Sequence, residues 1–228
     1  AFMVLRRPTG ASLAVTGVRM SAIRGVPCWT AVLVAYAAFG LSYSWFLNFL
    51  VAMLEDDRGV TATSASVVFI VLGAAQIPGG MLFGRVSDAV GRRPAMVVGF
   101  LGMAVGALGA RYAPTWLVFP SVVLFGLAFS GVPTTIAAYL GDHTESGEFP
   151  AAFGVATLAF GIAQMLAPQV GGILGDVTGG FTAVFIASAA AAGVGALAAS
   201  RLELVSRERT RPGPAPGWGG CRWIGNRP

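Results

Sequence analysis

The sequence predicts an all-α, polytopic transmembrane bundle of six membrane-crossing helices, on three observations. The chain is 55% hydrophobic and only 11% charged, whereas ordinary soluble domains carry roughly 25% charged residues. Its mean hydropathy is +0.74, and the apolar residues gather into six runs near the ~20 residues a helix needs to cross a bilayer. Glycine is abundant, at 32 residues, as expected where transmembrane helices pack closely.

Taken in order, residues 1–28 open on "AFMVL", apolar and followed by Arg6 and Arg7. A signal peptide has the reverse order, basic then apolar. This segment reads as the end of a preceding span plus a linker, and the chain as a fragment of a longer protein. The first full span, Trp29–Leu54, ends at "EDDRGVTA", which reads as a solvated loop. The second, Thr63–Phe83, has Gln76 ahead of "IPGG", a bend signal, and leads into "GRVSDAVGRRP". The third, Pro94–Ala110, is short and closes on "RYAP". The fourth, Thr115–Leu140, holds Pro120 and Pro133, tolerated in lipid where neighbours satisfy the freed carbonyls. After it, "GDHTESGEF" places Asp142, His143, Glu145 and Glu148 in what reads as a solvated loop. The fifth, Pro150–Leu174, is followed by "GDVTGG", with Asp176 as a turn residue, and the sixth is Phe181–Ser200. Residues 201–228 are rich in Pro, Gly and Arg and read as a disordered tail.

Charge sets the orientation. All fifteen basic residues are Arg. With six spans, Arg58 and Arg111 fall on one side and the other thirteen on the opposite side, so the positive-inside rule places both ends of the segment and the Gly84–Pro94 stretch in the cytoplasm. The net charge of +5 is thereby explained by topology, without a nucleic-acid partner.

Within "GRVSDAVGRRP", Gly84, Asp88, Gly91, Arg92 and Arg93 match the loop signature G-x-L-a-D-r-x-G-r-k. Val86 stands for the usual Leu, Ser87 for the small residue and Ala89 for a common basic position. The stretch resembles the signature of the major facilitator superfamily, between the second and third spans on the positive side, where that family carries it. The resemblance covers about Trp29 to Ser200. It implies a twelve-span fold of two six-span halves, with the signature acting as a cytoplasmic latch: Gly84 for close helix approach, Gly91 for the turn, Asp88 facing a helix N-terminus, and Arg92 and Arg93 pairing with carboxylates or headgroups. The Arg-rich stretches at both ends, and the lack of an arginine in the fourth span, fit the C-terminal half (29–200). "GIAQMLAPQVGG" is also similar to the Gly-Pro-x-x-Gly-Gly pattern of antiporter members, with Ala167 for the first Gly, although those members carry it in the other half.

Several residues qualify as substrate-facing. Tyr36, Gly40 and Tyr43 share a helical face, beside Ser44 and Asn48. Gln76 and Gln164 are amides inside spans, where polar groups are costly and face a bundle interior or a wet cavity. On the fifth span Gly161, Gln164, Pro168, Gly171 and Gly172 align as a small-residue packing face with one amide. No Asp, Glu, His, Lys or Arg lies near the middle of a span, leaving no midspan anchor for an ion.

The resemblance implies a secondary active transporter of a small organic solute, ion- or proton-coupled, in the plasma membrane. Its partners would be the solute, lipid and the missing N-terminal half. The alternative is a non-transporting sensor or scaffold on the same bundle. Enzyme chemistry finds no support: one histidine excludes H-E-x-x-H, and neither G-x-S-x-G nor a P-loop occurs. Cys28 and Cys221 lack metal-ligand spacing, and no metal or cofactor is expected.

Overall fold

The computed structural model describes residues 24–145 and 147–202. The expected span end with most of its linker, and the tail beyond Leu202, lie outside the described residues. Six helices follow one another: α1 (Trp29–Ala52), α2 (Ala62–Val90), α3 (Arg92–Tyr112), α4 (Thr115–His143), α5 (Phe149–Thr178) and α6 (Thr182–Ser200). All six are long and apolar enough to cross a membrane. The connections are so short that successive helices alternate in direction. One end of the bundle carries the Gly84–Pro94 stretch, called here the motif end; the other is the far end.

The helices outrun the apolar runs. α2 continues unbroken through Pro78 and through most of the stretch expected to be a loop, so Arg85, Ser87 and Asp88 are helical and the turn shrinks to Gly91. A helix end that has left the bilayer accepts charge freely, and Asp88 and Arg92 pair across one turn. Gly91 takes φ +101°, a conformation that L side chains avoid. At the far end, a π-helical turn, Met53–Asp57, prolongs α1 through the acidic cluster expected to be loop. Asp142 and His143 close α4, and Asp176 lies in the last turns of α5.

Packing follows a simple plan. α4 lies between α2 and α3, α1 lies between α5 and α6, and α3 against α6 joins the two triplets. Each triplet takes its middle helix from one run of three helices and its flanking pair from the other. Since α1 and α4 run in opposite directions, this is the arrangement of an inverted repeat. Glycines let the backbones close: Gly79 meets Leu127 and Ser130 of α4, Gly106 meets Ser121 and Phe125, and Gly195 meets Phe100. α2 and α5, at the two ends of the series, are the least buried, with 22% of the apolar window of each inside the bundle against 39–56% for the others. The face between them is open.

Candidate functional site

On the open face, α1 and α4 meet through side chains rather than backbone. Phe39 lies 5.6 Å and Tyr43 5.1 Å from the Phe129 ring, centroid to centroid. Across the gap to α5, Phe160 stacks on Tyr36 at 5.0 Å and on Tyr43 at 5.7 Å. Thr157 of α5 lies beside the Tyr36 hydroxyl. Tyr36 and Phe39 are buried, whereas Tyr43, Phe129 and Phe160 remain half-buried at the rim of this cluster.

Gln164 sits one turn beyond Phe160 and two turns beyond Thr157, so it shares their face of α5. Pro168, lacking an N–H, cannot donate to the Gln164 carbonyl; Ser44 Oγ lies 3.5 Å from that oxygen. On α2, the Gln76 carbonyl accepts from Ser130 Oγ at 2.6 Å. Both glutamines occupy the middle of their helices and are half-buried. Among the described residues, neither side-chain amide has a hydrogen-bond partner, whereas Trp45 Nε1 donates to Ala167 O at 2.8 Å and Ser188 Oγ to Ser42 O at 2.7 Å. Asn48 is different: its amide is spent within α1, on Ser44 O at 2.7 Å and Ser44 Oγ at 3.2 Å.

Not every small residue packs as expected. Gly171 lies against Phe49 and Trp45, and Gly40 against Phe160 and Ala163. A Cβ at Gly161, Gly172 or Gly84 would meet nothing within 4 Å. Gly161 and Gly172 point off the α1-facing side of α5, and Gly84 off the α4-facing side of α2, so these three glycines pack against no described neighbour. Pro168 lies inside α5 on the same flank as Gln164.

At the motif end, Arg92 opens α3 and gathers three partners. Its Nη1 donates to Asp88 and, at 2.7 Å, to Ser87 Oγ; its Nε donates to Asp142 Oδ2 at 2.8 Å. The guanidinium thus ties α2, α3 and α4 together. Arg93 makes no hydrogen bond or ion pair among the described residues. Asp142 was expected in a solvated loop; its partner lies 50 residues earlier in the chain, and no local pattern announces it. The His143 ring lies tilted against Tyr139, 4.2 Å between centroids, and its Nδ1 hydrogen-bonds the Tyr139 carbonyl at 2.8 Å.

A second clasp lies at the far end, where a solvated "EDDR" was expected. Asp57 Oδ2 accepts from Phe181 N at 2.9 Å, which caps the start of α6. Arg111 Nε lies 3.8 Å from the same carboxylate and donates to Thr182 Oγ1 at 2.8 Å. Arg58 donates to Ala110 O and Ala113 O, each at 2.7 Å, at the end of α3, where the helix dipole favours a cation. Burial, then the charge of Arg111, lowers the pKa of Arg58 from its usual value, yet an arginine stays protonated at physiological pH. A cavity of ≈ 510 Å³ opens beside this clasp, lined by Asp56, Asp57, Arg111 and Thr182 among others.

Sequence reasoning missed Phe129 and Ser130. A signal existed: Phe39–Ser44 reads FGLSYS and Phe125–Ser130 reads FGLAFS, one in each run of three helices.

The comparisons agree with this architecture. The family model described as Major Facilitator Superfamily matches residues 32–222. The chain is 27% identical over 159 residues to the Uncharacterized MFS-type transporter YybF of Bacillus subtilis, covering 67% of this chain and 39% of that protein. It is 29% identical over 118 residues to the class C tetracycline resistance protein of Escherichia coli, covering 51% and 29%. It is 27% identical over 158 residues to the inner membrane transport protein YnfM of Escherichia coli, covering 67% and 38%. The chain therefore spans well under half the length of these relatives.

Proposed function

This chain belongs to the Major Facilitator Superfamily, and on that premise we propose that it forms one six-span half, the C-terminal one, of a secondary transporter for a small organic solute. The observation that carries the reading is the open face between α2 and α5. Two amides, Gln76 and Gln164, stand unpartnered there among described residues, at the middle of an apolar bundle. An unpaired polar group in apolar surroundings costs a few kcal/mol, so the face calls for a second wall and a wet or solute-filled space between the walls. Tyr36 and Tyr43 line this side through the ring cluster; Asn48, bonded within its own helix, contributes at most an edge.

Alternating access then consists of one half rocking against the other about the midplane. The Gly84–Arg93 stretch acts as a latch on the cytoplasmic side, with Asp88 and Asp142 sharing Arg92 and Arg93 free to meet a carboxylate of the other half or an anionic headgroup. The family resemblance and the gathering of charge at one bundle end support this role. The protein works in the plasma membrane, with the motif end in the cytoplasm, and couples solute movement to an ion or proton gradient. The tetracycline resistance name among the relatives is compatible with an organic solute.

The test is solute flux into vesicles reconstituted with the full-length protein. Asp88→Asn should leave expression near normal and slow flux, because the charge is removed with little change in shape. A protein that moves no solute down or against any imposed gradient would refute the transporter reading; undiminished flux in Asp88→Asn would reduce the stretch to a topology signal.

A further inference from the structure

We propose that the open face holds a binding site for an uncharged, planar ring compound with hydrogen-bonding groups at two edges, seated between Gln76 and Gln164 with its ring against Tyr43 and Phe129. This rests on the transporter reading and names the solute class for the same face.

The inverted repeat extends here to matching contacts. A Cβ at Gly40 would lie 2.8 Å from Phe160 O and 3.3 Å from Ala163 Cβ; a Cβ at Gly126 would lie 2.8 Å from Leu72 O and 2.9 Å from Ala75 Cβ. Ser44, one turn after Gly40, approaches the Gln164 carbonyl, and Ser130, one turn after Gly126, bonds the Gln76 carbonyl. Phe160, Ala163 and Gln164 therefore correspond to Leu72, Ala75 and Gln76. Tyr43 corresponds to Phe129, and these two rings touch each other at 5.1 Å. A local two-fold axis passes by that ring pair, with the two glutamines at equivalent positions on either side of it.

The chemistry of the solute follows. Each amide both donates and accepts, so a carbonyl or hydroxyl edge satisfies it. Aromatic faces favour offset stacking with another ring, and the Tyr43, Phe129 and Phe160 rings keep exposed surface. Among the described residues no charged side chain lies at this depth, so this wall offers a carboxylate or other ion no compensating charge. The ring surface of this wall outweighs its hydrogen-bonding groups, which suits a flat ring compound better than a sugar. The two-fold arrangement adds a requirement on shape: the hydrogen-bonding groups sit at opposed edges of the ring system.

Binding of 1,8-dihydroxyanthraquinone to the full-length protein in lipid nanodiscs, followed by probe fluorescence, tests the site. Saturable binding is expected, with no competition from glucose or lactate. Gln76→Met and Gln164→Met should each weaken it about 5–10-fold, as loss of one neutral hydrogen bond does, and Phe129→Leu should weaken it as well. If a Met variant fails to fold, Gln76→Asn and Gln164→Asn keep the polarity but shorten the reach and should weaken binding too. Absence of saturable binding, or binding unchanged in the folded glutamine variants, overturns the proposal. Flux is measured separately. Transport of glucose or lactate without anthraquinone binding sinks this site and spares the transporter; intact, glutamine-dependent binding with no flux of any solute supports the site and sinks the transporter.

Discussion

Gly40→Ala should destabilise the protein although alanine is the better helix former. The new Cβ would sit 2.8 Å from Phe160 O and 3.3 Å from Ala163 Cβ. Ordinary contact begins near 3.4 Å, and a backbone oxygen cannot rotate aside, so α1 and α5 must separate by about half an ångström. Overpacking of this kind costs about 1–3 kcal/mol, against a propensity gain of about 1 kcal/mol for Gly→Ala in a helix. The net expectation is a loss of about 1 kcal/mol, accompanied by loosening of the Tyr36–Phe160 stack. Gly193→Ala, on α6, is the control: nothing lies within 4 Å of its added Cβ, so only the propensity gain remains. Both variants are read by equilibrium unfolding in mixed micelles, followed by tryptophan fluorescence, since Trp45 bonds across the same α1–α5 contact. If Gly40→Ala proves as stable as Gly193→Ala, close backbone approach does not hold the α1–α5 pair together.

Three further outcomes are expected. Asp57→Ala removes the cap on Phe181 and the charge beside Arg111 and should cost about 1–2 kcal/mol, seen as a lower midpoint in the same unfolding assay; an unchanged midpoint would make the far-end clasp incidental. A double-mutant cycle of Arg92→Gln with Asp142→Asn should show a coupling of about 0.5–1 kcal/mol, modest because the carboxylate is 38% exposed, while a cycle with exposed Glu145 should show none. In a background with Cys28 and Cys221 replaced, Thr63→Cys and Asp176→Cys should react with an impermeant thiol reagent from outside intact cells and Ala89→Cys only after the cells are opened; labelling of Ala89→Cys from outside would reverse the orientation.

Hydropathy made the six helices legible, because burial in lipid imposes a run length that few other folds need. Helix ends were less so. Charge ended the runs at Phe83 and Leu140, whereas α2 and α4 go on to Val90 and His143, since a helix outside the bilayer keeps its hydrogen bonds whatever its side chains. Gln76 and Gln164 stood out because an amide inside a span is expensive. Asp57, Arg58 and Asp142 did not, because their partners lie about 50 or more residues away and a charge beside water looks the same paired or unpaired. The small residues of α5 revealed a face but not its neighbour: spacing reports angle around a helix, and only the packing of α1 decides that Gly171 is covered and Gly172 is not.

The crossed packing of the two triplets also has a bearing on how the chain is made. α4 emerges from the ribosome to find α2 and α3 already present. α1 has no such luck: Ser42 bonds Ser188, Ser44 reaches the Gln164 carbonyl and Trp45 donates to Ala167, partners 120–146 residues downstream. At ~5–20 residues per second of synthesis, α1 spends roughly 6–30 s in the membrane or its insertion machinery with these groups unmatched. Maturation is therefore lopsided, and α5 and α6 decide whether α1 is accepted. A nascent chain stopped after α4 would hold one finished triplet and one orphan helix.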